Sequence, residues 1–224
     1  MGYSLSSVGI AAAALAGCAI SNASYAPAPI VVGGPAAIPN SYVGAASAPL
    51  HAELLACHRG TGSNLGPIGA RGEAALYTPY IFTPAGPLLR NPTEGACLSS
   101  GFGWRGSADG GGRQHNGLDL ANPDGGYIYA AADGWVRSAD WQGGYGLVLE
   151  IEHGAGVVTR YAHLNEIDPN LRSGIFVAAG APVARMGATG NATGVHLHFE
   201  VMVDGVLVDP LTYGIEAAGE GPVA

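Results

Sequence analysis

The sequence predicts an all-β protein: two packed antiparallel sheets, or an open barrel-like β domain, with an irregular N-terminal extension. Three observations predict it. Glycine is abundant, at 37 of 224 residues, and 12% of the chain is charged, a turn-rich composition unlike a coiled coil or an acidic disordered tail. From Cys97 onward short apolar runs alternate with Gly turns, and no stretch of helical period interrupts them. Val201-Met202-Val203 and Val206-Leu207-Val208 are separated by Asp204-Gly205, a strong hairpin signal.

Residues 1–17 read as a signal peptide of the lipoprotein type. Val8 to Gly17 is too short an apolar stretch to span a bilayer and has the length of a signal h-region. It ends in Leu15-Ala16-Gly17-Cys18, which resembles a bacterial lipobox, although Met1 to Ser7 lacks the usual Lys or Arg. In that resemblance Cys18 is diacylated and joins the protein to a membrane; a plain secretory signal is the alternative. Residues 18–50 follow as an Ala/Pro-rich tether without a charged side chain.

Residues 51–96 read as an irregular subdomain. Ala52 to Cys57 has room for a helical turn or two, and Tyr77 to Pro87 holds too many prolines for a central strand. Three cysteines are odd for an exported chain. With Cys18 taking lipid, Cys57 and Cys97 remain to pair in an oxidising compartment.

Residues 97–213 form the main domain, and 214–224 a tail. Strands are predicted over Tyr127–Ala131, Gly134–Ser138, Gly146–His153, Val157–His163, Phe176–Val177, Pro182–Met186 and Val195–Val203. The last of these holds the most informative run. Alternation puts His196, His198 and Glu200 on one face and Leu197, Phe199 and Val201 on the other, so one face closes a core while the other presents imidazoles.

Two further segments carry groups that such a strand can meet. His115-Asn116-Gly117-Leu118-Asp119 pairs an imidazole with a carboxylate, and Gly117 permits a tight path between them. The other is Arg160-Tyr161-Ala162-His163-Leu164. Three protein ligands with one open position is the usual composition of a catalytic zinc site.

The order Ser100-Gly101-Phe102-Gly103-Trp104-Arg105, His115-x-Gly117-x-Asp119-x-Ala121, Tyr161-Ala162-His163-Leu164, and Thr189-Gly190 through His196-x-His198-Phe199-Glu200 resembles the lysostaphin/LytM-type zinc endopeptidases. The resemblance covers about Leu89 to Tyr213. It implies one Zn2+ per chain, held by His115, Asp119 and His198. It implies that His163 and His196 flank the metal-bound water, His163 as the base and His196 supporting the transition state, or the two exchanged.

The substrate class so implied is the peptidoglycan stem peptide. Family members cut glycine bridges in some Gram-positive walls and D-alanyl-diaminopimelate cross-links in Gram-negative ones. A lipobox followed by Ala19, not Asp, implies periplasmic exposure on the outer membrane of a Gram-negative host. The alternative is a non-catalytic LytM-like lipoprotein that regulates a cell-wall amidase; such degenerate members have lost ligands, and here every ligand position is filled. The sequence departs from the family at Leu147, Ala192 and Val195, where Asn, Ser and Pro are usual. Family members are sometimes held inactive by an upstream segment, for which Asn91, Glu94 and His58 are candidates.

Other residues have plainer readings. His153 is a hydrogen-bonded core or edge residue, and His51 and His58 are surface groups. Glu200 shares the metal face and either orients a ligand histidine or takes no part in the site, and Arg105 braces the Gly-rich loop or reads a substrate carboxylate. Nine arginines, no lysine and a formal charge of −8 leave no basic patch for nucleic acid. The turns around Gly180-Ala181-Pro182 resemble biotinyl/lipoyl carrier domains, which need a lysine this chain lacks.

Overall fold

The computed structural model describes residues 54–57, 62–66, 68–73, 78–106 and 111–215. The predicted signal, Cys18, the tether, His51 and His58 lie outside the described residues. Ordered along the chain, the strands are β1 (Tyr80–Thr83), β2 (Gly86–Leu89), β3 (Cys97–Ser100), β4 (Gly103–Gly106), β5 (Gly112–His115), β6 (Leu118–Ala121) and β7 (Tyr127–Tyr129). They continue as β8 (Gly134–Trp141), β9 (Leu147–Gly154), β10 (Val157–Ile167), β11 (Phe176–Val177), β12 (Pro182–Met186), β13 (His196–Val203) and β14 (Val206–Val208). Every strand pairing is antiparallel. No helix among the described residues is long and apolar enough to cross a membrane.

The fold turns on β10. Val157 to Tyr161 lie between β9 and β13, Leu164 lies between Leu147 on β9 and Met186 on β12, and Glu166 and Ile167 pair with β12, which continues to β7. The sheet therefore branches, and the apolar faces of its two arms share one core. Leu197, Phe199 and Val201 are fully buried there with Leu118, Leu120, Leu149, Ile128 and Val183. Each such side chain contributes roughly 1.5–3 kcal/mol by leaving water. Tyr161 ties the arms together: its ring meets Phe199 at 5.4 Å and its hydroxyl accepts from the Ala131 N–H at 2.8 Å. Burial raises its pKa to about 12, so it stays neutral.

The branch requires an irregularity, and the chain supplies one at His163. Between Tyr161 and Leu164, β10 has one more residue than β9 opposite it, a β-bulge. His163 there adopts φ 60°, a left-handed conformation that few non-glycine residues occupy.

The segment before Cys97 differs from expectation. Ala52–Cys57 is not helical where described: Leu55 and Ala56 pair with Glu73 and Leu98. Nor is 51–96 irregular throughout, since β1 and β2 form a hairpin with Pro87 at the edge of a two-stranded sheet, where its missing N–H is tolerated. Arg90 is buried and donates to the carbonyls of Tyr80 and Leu211. Cys57 and Cys97 are joined by a disulfide, with Cα atoms 4.9 Å apart. Asn91 is buried against Thr93, and the Glu94 carboxylate accepts from the Tyr127 N–H. Among the described residues, then, neither Asn91 nor Glu94 occupies the cleft described next.

Candidate metal centre and its cleft

His115 ends β5, Asp119 sits in β6, and His198 lies directly opposite Asp119 on β13. This register brings three donor atoms together. His115 Nε2 is 3.0 Å from Asp119 Oδ1 and 3.1 Å from His198 Nδ1, and Asp119 Oδ1 is 2.8 Å from His198 Nδ1. The turn from β5 to β6 is tight because Gly117 lies against β13: a Cβ on it would stand 2.2 Å from the Phe199 carbonyl oxygen.

Each of the three is anchored on its far side. His115 Nδ1 donates to the Gly101 carbonyl at 2.6 Å, His198 Nε2 faces Glu200 Oε1 at 3.0 Å, and Arg105 Nη2 donates to Asp119 Oδ2 at 2.5 Å. One donor atom per residue is thus left facing a common point, with ring orientations already fixed. Two imidazole nitrogens and one carboxylate oxygen, backed in this way, suit zinc. Arg105 accordingly does more than brace the loop.

Burial alone would raise the Asp119 pKa, but hydrogen bonds from His115 and His198 outweigh it and hold the carboxyl well below the usual range. Burial would lower that of His198, yet Asp119 and Glu200, one at each ring nitrogen, keep it above the ordinary value.

Two further imidazoles face the same cleft. His163 and His196 have ring centroids 4.8 Å apart, and His163 lies 5.8 Å from His198. His163 Nδ1 donates to the Thr189 carbonyl, and His196 Nδ1 to that of Gly194, both at 2.8 Å. Burial lowers the pKa of His163. The cleft holds about 300 Å3 and is lined by all five residues together with Arg105, Arg113 and Tyr145. No described residue before Arg105 lines it.

Behind His198 runs a row of charges across three strands. Arg160 on β10 lies opposite Glu150 on β9 and Glu200 on β13, with contacts of 2.7 Å and 2.6 Å. Glu200 is fully buried, and Tyr145 donates to it at 2.8 Å while its ring packs 5.7 Å from His198. Burial would raise the Glu200 pKa, but His198, Tyr145 and Arg160 together lower it.

The model of peptidase family M23 matches residues 113–210, a span that contains His115, Asp119, His163, His196 and His198. Residues 113–210 are a peptidase family M23 domain. Over 100 residues it is 43% identical to peptidoglycan DD-endopeptidase ShyB of Vibrio cholerae, covering 43% of this chain and 22% of that protein. Over 103 residues it is 37% identical to DD-carboxypeptidase/endopeptidase Mpg of Neisseria meningitidis serogroup B, covering 46% of this chain and 23% of that protein. The chain thus spans about a quarter of the length of these curated relatives. Among solved structures, a zinc-containing peptidase from Vibrio cholerae superposes with a TM-score of 0.53 at 33% identity, over 59% of this chain and 45% of that one.

Within this M23 domain the five expected residues share one cleft. His153, as expected, is held by protein groups, with Nδ1 on the Asp133 carbonyl and Nε2 beside Thr159. At the departures from the family, Leu147 uses its backbone N–H on Thr189 Oγ1, and Val195 packs against the core. Tyr145, and Arg160 as the partner of Glu200, were not expected. The signal for Arg160 is a polar residue alternating with buried apolar ones on a central strand.

Proposed function

We propose that this protein is a zinc-dependent endopeptidase that hydrolyses peptide cross-links of bacterial peptidoglycan, of the D-alanyl-diaminopimelate type. The observation that carries this reading is the convergence of His115, Asp119 and His198 beside the two free-standing imidazoles of His163 and His196 in one cleft. The names of ShyB and Mpg support the substrate class. The complete donor set speaks against the non-catalytic reading.

His115 Nε2, Asp119 Oδ1 and His198 Nδ1 would hold the metal. Zinc bound there supplies Lewis-acid polarisation of the scissile carbonyl and lowers the pKa of water to about 7. The protein's own groups handle the proton. Because His163 Nδ1 donates to Thr189, its Nε2 presents a lone pair to the cleft, and its lowered pKa keeps that lone pair free at neutral pH. It takes the water proton and returns it to the leaving amine. His196, fixed through Gly194, turns its Nε2 to the same cleft, and with both ring nitrogens protonated it donates from there to the developing oxyanion. Asp119 contributes one negative charge to the centre, and Arg105 keeps its second oxygen occupied.

We also propose that Cys18 bears lipid and that residues 18–50 tether the domain to the outer membrane, facing the periplasm. The motif at Leu15 to Cys18 and the uncharged tether support this.

The decisive experiment offers zinc-loaded protein intact diaminopimelate-type sacculi and reads released muropeptides by mass spectrometry. Conversion of cross-linked dimers to monomers by the parent, but not by His163→Ala or Asp119→Ala, is the expected result. Absence of conversion by the zinc-loaded parent overturns the substrate assignment.

A further inference from the structure

The cleft has a cationic end of which the hydrolytic machinery uses one arginine, Arg105, and leaves the other, Arg113, unused. β4 and β5 form a two-stranded hairpin in which Arg105 lies directly opposite Arg113 and Gly103 opposite His115. Cross-strand partners share a face, and so do residues two apart on one strand. Arg105, Arg113 and His115 therefore stand on the same face, and all three line the cleft.

Like charges directly opposite each other destabilise a strand pair. Here just one of the two is compensated. Arg105 has Asp119, whereas Arg113 has no hydrogen bond or ion pair among the described residues and is exposed to the cleft. Arg105 itself retains a buried Nε with no partner among them. In a chain of net charge −8 with no lysine, the uncompensated Arg113 guanidinium next to Arg105, beside the metal ligands, is a subsite for an anion, and the planar fork suits a carboxylate.

We propose that Arg113, with Arg105 beside it, is a specificity determinant that binds the free carboxylate on the amino acid whose nitrogen leaves. The inference rests on the endopeptidase reading and deepens it. In a D-alanyl-diaminopimelate cross-link, the carbon bearing the leaving nitrogen also bears a free carboxylate, while the D-alanine on the acyl side offers a methyl group. A chain-terminal D-alanyl-D-alanine presents the same leaving-side carboxylate. A glycine bridge cut internally has none, and neither does the ε-methylene of a lysine cross-link. One cationic subsite thus selects the first two classes and disfavours the others.

The test compares free-acid and amidated forms of two probes on the full-length zinc-loaded protein. One is a D-alanyl-diaminopimelate dimer amidated or not at the leaving-side carboxyl; the other is a D-alanyl-D-alanine peptide or its C-terminal amide. Both kcat/KM and calorimetric affinity are read. The parent should prefer acid over amide by roughly 10- to 100-fold, the span of a charge-assisted hydrogen bond. That ratio should collapse toward one in Arg113→Gln and be partly kept in Arg113→Lys. Because each ratio is taken on one protein, a folding defect does not mimic the effect. A collapse for the dimer alone assigns the subsite to the cross-link, and one for the peptide alone assigns it to the chain end.

The proposal is overturned if the parent treats acid and amide alike, or if the ratio survives in Arg113→Gln. Should neither probe be cleaved while an Arg113-dependent preference persists in binding, the subsite stands and the endopeptidase reading falls. Cleavage with no preference has the opposite meaning.

Discussion

His198 Nε2 lies 3.0 Å from Glu200 Oε1, so a carboxylate two residues along the same strand fixes the ring whose other nitrogen faces Asp119. Partners of this kind typically change metal affinity by ~10–100-fold when removed. Glu200→Gln should therefore weaken zinc binding by about that factor, measured by competition with a chromogenic chelator. Unchanged affinity would show that His198 needs no such support.

Gly117 has its backbone against Phe199, with no room for a methyl group. Gly117→Ala should cost about 1–3 kcal/mol, the usual range for overpacking, and displace Asp119 relative to His198. Urea denaturation measures the first effect and zinc stoichiometry the second. A variant as stable as the parent would contradict the packing described.

The Cys57–Cys97 bond closes a loop with a sequence separation of 40. The loop-entropy relation gives about 4 kcal/mol for a closure of this size. A Cys57→Ser/Cys97→Ser double variant should lose stability of that order, and reductant should move the parent, but not the variant, toward the same denaturation midpoint.

Burial lowers the pKa of His153, against the smaller opposing pull of the Asp133 backbone and charge. The unfolded chain therefore takes up this proton at higher pH than the folded one. The contribution of neutral His153 is fully present above the ordinary histidine pKa of about 6.5. It is lost as pH falls through the folded value. The stability gap between parent and His153→Gln should narrow across that interval in chemical denaturation at stepped pH; a constant gap would refute the linkage.

How much of this was legible depended on distance along the chain. His196, His198 and Glu200 declare their shared face through strand alternation, and His115 and Asp119 are four residues apart, so each half of the ligand set is a local pattern, while the family resemblance joined the two halves across 79 to 83 residues. His163 is different. Its direction depends on a bulge, defined by counting residues on β10 against β9. The Arg105–Asp119 and Arg160–Glu200 pairs span 14 and 40 residues and exist through register. The hairpin at 80–89 was obscured by prolines that an isolated two-stranded sheet accommodates.

The row Glu150–Arg160–Glu200 has a consequence for how this sequence can drift. Losing the central cation alone leaves buried Glu200 with His198 and Tyr145, and buried Glu150 with the more distant, exposed Arg137, a change on the order of 3–5 kcal/mol. Losing Glu200 first leaves Arg160 with Glu150 but strips His198 of its support. Every single step away from the trio thus passes through a less fit intermediate, while a concerted exchange for apolar residues need not. Substitutions at 150, 160 and 200 should therefore be inherited together, and a lineage that relaxes one of them should already have relaxed its need for the metal.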